Sequence, residues 1–128
     1  MNKFAPTILR IGLSLVFIWF GSQQLMNTQM WTSMIPQIVM DLSGLTASTL
    51  VHFNGAFEIV FGTALFFGFY TRAVALLLAL HMIDITFVVG FDAIGVRDFG
   101  LSIATFTSAM LGAGALSVDL FFEDLAVE

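Results

Sequence analysis

Residues 52–84 read HFNGAFEIVFGTALFFGFYTRAVALLLALHMID. Two long apolar runs meet here at Gly68-Phe69-Tyr70, and Arg72 is the one charged residue between Glu58 and His81. An α-helix rises about 1.5 Å per residue, so about 20 apolar residues cross the hydrocarbon core of a bilayer. The segment shows no period-2 alternation, which argues against barrel strands. It predicts two antiparallel membrane helices joined by a tight turn. Measured from the end away from that turn, Asn54 and Asp84 lie roughly 10 Å in, and Glu58 and His81 roughly 15 Å in. Asn54 and Glu58 are four apart and His81 and Asp84 three apart, so each pair shares a helix face. A carboxylate at the centre of a membrane helix costs at least a few kcal/mol. The two polar faces are therefore expected to turn inward and meet.

The rest of the chain extends this pattern. Of its 128 residues 59% are apolar and 10% charged, where soluble domains carry about 25% charged residues. So small a globule could not bury so large an apolar fraction, so its outer surface is expected to face a lipid bilayer. Further spans are predicted at about 5–25, with Pro6 in the first turn, and at about 99–116, alongside those at about 47–69 and 73–91. The length and polar ending of the first span argue against a cleaved signal peptide. Residues 1–128 thus read as one all-α membrane domain, an antiparallel four-transmembrane-helix bundle with short connections. Trp31, Ile35, Ile38, Val39 and Leu42 recur at helical spacing in the long connection. They predict a short interfacial helix at about 32–43 between helices 1 and 2, a lid with Trp31 at headgroup level. Small residues at Ala104, Ser108 and Gly112, and at Ala64 and Gly68, are expected to mediate close helix packing.

Lys3, Arg10 and Arg72 fall on the side of both termini and Arg97 on the other, which predicts cytoplasmic N- and C-termini. Nucleic acid is excluded as a partner by a net charge of −5 with four scattered basic residues. The absence of cysteine removes disulfide, thiolate and cysteine-nucleophile chemistry.

Glu58, His81 and Asp84 are the candidate catalytic residues. Gln24, His52, Asn54, Arg97 and Asp98 are the candidate ligand-binding residues. Glu58 and His81 are expected at the base of a pocket in the outer half of the bundle, with Asn54 and Asp84 on its walls. Gln23, Gln24, Arg97 and Asp98 would surround its mouth. The other half, exemplified by Val60–Phe67 and Val74–Ala79, reads as almost purely apolar. Three chemistries suit this set, and a fourth, proton or small-solute passage, is disfavoured because the other half offers no polar relay. The charges could be structural pairs, Glu58 with His81 and Asp84 with Arg97 or His52. The pocket could hold a quinone, with His81 or His52 bonded to a carbonyl oxygen and Glu58 or Asp84 exchanging a proton. His52, Glu58, His81 and Asp84 could also bind a metal, although the paired Glu-x-x-His motifs of di-iron bundles are missing. No metal ligand is assigned.

The chain resembles the DoxX family of small four-helix membrane proteins over nearly its whole length. The resemblance lies in "LRIGLSLVFIWFGSQQL" with Arg10, "GAFEIVFGTALFFGFYTRAVALLLAL" with Glu58, "VRDFGLS" opening helix 4, and "GAGALSVD" closing it at Asp119. Gln24 stands where the family often has a lysine, and Ala115 where a basic residue is common, so two contacts for an anionic substrate are missing. The resemblance implies an inner-membrane location and a redox link, since related proteins form part of a thiosulfate:quinone oxidoreductase. The expected role is a quinone-interacting oxidoreductase subunit, with quinone as the cofactor to test. A partner oxidoreductase subunit and homo-oligomers are compatible with it. The alternative is a non-catalytic scaffold subunit whose buried polar residues serve packing.

Overall fold

The computed structural model describes residues 2–90 and 92–128. Among these the chain is all-helical, with seven helices in the order α1 (Ala5–Met26), α2 (Thr28–Thr32), α3 (Gln37–Ser43), α4 (Ala47–Phe67), α5 (Thr71–Val89), α6 (Ala93–Leu111) and α7 (Val118–Val127). Helices α1, α4 and α5 are long and apolar enough to cross a membrane. The 19-residue α6 carries Arg97 and Asp98 and is less apolar. Large apolar side chains such as Ile8, Leu15, Trp19, Val60 and Leu80 cover the outside, as expected of a protein immersed in lipid.

The helix boundaries follow from local chemistry. Thr46 accepts a hydrogen bond from the Thr49 N–H and starts α4, while Gly68 at φ +70° ends it two residues before the expected Phe69. Helix α5 starts at Thr71, two residues early, because Asp119 serves its N-terminus: Oδ1 accepts from the Tyr70 N–H and Oδ2 from the Thr71 N–H. The expected end of that span, Phe91, lies outside the described residues. Helix α6 spans 93–111 rather than 99–116. Asp92 accepts from the Gly95 N–H at its start, and Gly112 at φ +83° stops it. The interfacial segment is two short helices rather than one. Pro36 is extended, with ψ 145°, and separates α2 from α3.

Helix α1 packs extensively on α4, and α5 on α6; contacts between α1 and α6 and between α4 and α5 close the four long helices into a ring. The α1–α4 crossing is close because both sides are glycine. A Cβ on Gly21 would lie 2.7 Å from the Gly55 carbonyl oxygen, and a Cβ on Gly55 would lie 2.9 Å from that of Gly21. Gly68 and Gly112, expected as packing residues, also end helices; a Cβ on Gly68 would collide with the Ser117 Cβ. The apolar core (Leu13, Phe17, Leu65, Val74, Ala75, Leu78, Met82, Ala109) occupies the half of the ring nearer the chain termini. That half is nevertheless not purely apolar, because Arg10 is fully buried in it. The Arg10 Nε donates to the Ala113 carbonyl, Nη2 to that of Leu116, and Nη1 to those of Leu65 and Phe66. Arg10 is thus an internal clamp rather than a headgroup anchor. Arg72 donates to the Met110 carbonyl at the end of α6.

Candidate functional site

At the opposite end, under the α2–α3 lid, the ring encloses a cavity of about 290 Å³. Its base is polar. Glu58 on α4 is 3% exposed, and both its oxygens are engaged. Oε2 accepts from Gln24 Nε2 at 3.0 Å, and Oε1 from Asn54 Nδ2 at 3.3 Å. Asn54 Nδ2 also donates to Gln24 Oε1 at 2.6 Å. These three residues knit α1 to α4 immediately beside the Gly21–Gly55 crossing, where the backbones are near enough for short amide side chains to span them. From α5, His81 Nε2 approaches Glu58 Oε1 to 3.6 Å. The imidazole lies against the ring of Phe57, with centroids 4.5 Å apart. His81 Nε2 is buried and has no hydrogen-bond partner. The matched depth read from the sequence therefore places Glu58 and His81 together, as expected.

Other candidates are distributed differently. Gln24, Asn54, Arg97 and Asp98 line the cavity with Glu58 and His81. The Arg97 guanidinium bonds its neighbour Asp98, with Nη2 to Oδ1 2.8 Å and Nε to Oδ1 3.0 Å. It also lies over the Phe20 ring, 4.6 Å from its centroid. The expected partnership of Arg97 with Asp84 does not form. Asp84 also lines the cavity, but it is exposed and makes no ion pair or hydrogen bond among the described residues. His52 lies outside the cavity. It is exposed, with Nδ1 2.7 Å from the Ser48 carbonyl oxygen and Nε2 3.3 Å from Thr28 Oγ1. The four residues weighed as a metal set do not converge, and no group of three or more His, Cys, Asp or Glu suited to a metal occurs among the described residues.

Sequence reasoning missed three contributors. The indole of Trp31, expected at headgroup level, turns inward to the cavity. Phe57 supports His81, and Asp119, at the other end of the bundle, caps α5. A lone arginine inside an apolar span, such as Arg10, is itself a signal of a buried partner set. The aromatic supports carry no comparable signal in a chain with 15 phenylalanines.

The arrangement combines a carboxylate and an imidazole at ion-pair distance, 3.6 Å, at the base of a mostly apolar chamber. Such a pair can hold or relay a proton to a ligand oxygen, and a predominantly apolar cavity with a few convergent polar groups is the usual form of a small-molecule site. Fold and site together define a helical membrane protein with an internal chamber floored by acid and imidazole groups. The DoxX family model matches residues 5–90, and the chain belongs to the DoxX family. No curated protein and no solved structure matches it significantly.

Proposed function

We propose that this DoxX-family protein is a redox-linked subunit of the inner membrane that binds a quinone headgroup under its lid. In this reading residues 1–128 form one domain. All four long helices cross the bilayer in antiparallel order, with both termini cytoplasmic and the cavity toward the outer face. Arg97 and Asp98 satisfy one another, which reduces the penalty for placing α6 in lipid.

The observation that carries the proposal is the buried His81 Nε2, which makes no hydrogen bond and lies 3.6 Å from Glu58 Oε1 at the floor of the cavity. The donor set suits a quinone. Its apolar walls accept a planar ring, His81 can bond a carbonyl oxygen, and Glu58 can supply or take a proton through His81. Gln24 and Asn54 hold the carboxylate in place. Arg97, Asp98 and the exposed Asp84 stand at the rim, and His52 is assigned no contact with ligand. A bound quinone would supply the electron-accepting chemistry; the protein supplies orientation, proton exchange and exclusion of water. The role fits a subunit that works with a partner oxidoreductase or as a homo-oligomer.

Glu58→Gln tests this reading. It keeps the size and much of the hydrogen bonding of the side chain but cannot exchange a proton. Purified in detergent, the variant is expected to remain folded and to lose binding of a short-chain 1,4-benzoquinone. The closed Gln24–Asn54–Glu58 network favours a second reading, in which these residues only lock α1 to α4 in a scaffold subunit. That reading requires Glu58→Gln to lower thermal stability, with no quinone binding by the wild-type protein either.

A further inference from the structure

A tryptophan at a membrane interface ordinarily directs its indole N–H toward headgroups and water. Trp31, on α2 in the lid, does the reverse. Its ring stands edge-on to Phe20 of α1, with centroids 5.9 Å apart, and it lines the cavity. Its Nε1 is buried and has no hydrogen-bond partner. A buried donor left unpaired costs about 1–3 kcal/mol, so such groups are uncommon and each calls for a partner. His81 Nε2, on the same cavity, likewise makes no hydrogen bond, although Glu58 Oε1 lies 3.6 Å from it.

The two groups come from different walls. Trp31 is braced by Phe20 of α1, itself covered by the Arg97 guanidinium of α6. His81 belongs to α5 and is braced by Phe57 of α4. Two aromatic groups, each against a neighbouring ring and each with a buried nitrogen that makes no hydrogen bond, thus line one mostly apolar chamber. That is the form of a site that holds its ligand at two polar points across an apolar body.

We infer that Trp31 is a ligand-binding residue of this cavity, its indole N–H donating to an oxygen of the bound molecule while a second polar group of that molecule meets His81 and Glu58. The inference rests on the cavity reading above and narrows its ligand class to small ring compounds with oxygen acceptors at two positions, as in a 1,4-quinone. Indole N–H only donates, so an ammonium group is rejected at that point. An acyl chain in the same space would leave Trp31 unpaired.

Calorimetric titration of the full chain in detergent with a short-chain 1,4-benzoquinone tests the assignment. Trp31→Phe keeps a ring against Phe20 and removes the donor; binding is expected to weaken about tenfold, the loss of one hydrogen bond. Independently of any change at Trp31, its indole N–H resonance in the isotope-labelled protein, assigned with Trp19→Phe, is expected to shift downfield as the quinone is added. Wild-type affinity in Trp31→Phe, or an unmoved Trp31 resonance, with binding still lost in Glu58→Gln, overturns the Trp31 assignment and leaves the cavity reading standing. Absence of binding by the wild type, or undiminished binding by Glu58→Gln, overturns both.

Discussion

The Arg10 guanidinium gathers carbonyl oxygens from two distant segments, Leu65 and Phe66 at the end of α4 and Ala113 and Leu116 between α6 and α7. Each bond to a charged donor contributes about 1.5–3 kcal/mol where it cannot be replaced by water. A lysine carries the same charge but lacks the planar fork that reaches several acceptors at once. Arg10→Lys is therefore expected to destabilise the protein by ~3 kcal/mol or more, read as a shift in the unfolding midpoint in a detergent–denaturant titration. A wild-type midpoint would show that water or lipid replaces the lost bonds. The same scale explains which site residues could be read from sequence. Glu58 and His81 were legible because equal depth and the penalty for ionised groups in hydrocarbon leave them few places except beside each other. The exposure of Asp84 was not: residues three apart on a helix are rotated by about 60°, enough to leave Asp84 on the cavity lining yet open to the outside while His81 is largely covered.

Among the elements, α1 and α4 depend on a crossing at Gly21 and Gly55 too close for a side chain. Gly55→Ala would drive a methyl against the Gly21 carbonyl and is expected to cost about 1–3 kcal/mol, the usual range for overpacking. It should also displace Gln24 from Glu58. Thermal unfolding measures the first effect, and weaker quinone binding the second. If both are unchanged, the crossing is more compliant than its geometry indicates. This contact was hidden in the sequence because a glycine used for close approach looks like one used to end a helix. Gly112, at φ +83°, ends α6, and Gly68, at φ +70°, does both, since a Cβ there would collide with the Ser117 Cβ. Helix ends were equally hard to read where their partners are remote. The side chain that begins α5 is Asp119, 48 residues from Thr71. By contrast, the long apolar runs made α1, α4 and α5 plain, since length and hydropathy are properties of the segment alone.

For the molecule as a whole, the ring of four long helices was legible from apolar length and short connections, whereas the division of the lid and the placement of α7 depend on contacts that sequence does not display. Four crossings with cytoplasmic ends require a fluorescent protein fused after Glu128 to fold and fluoresce, and a phosphatase fused there to stay inactive. Active phosphatase combined with a cytoplasmic N-terminus would mean that α6 does not cross. The Arg10 clamp bears on how such an arrangement is reached during synthesis. Helix α1 leaves the ribosome before its partners do, so its guanidinium enters the insertion machinery with none of its four eventual acceptors in place. Until translation passes Leu116 the nascent chain has reason to linger beside the translocon or a chaperone, and the segment at 113–116 is the one that lets α1 be released into lipid.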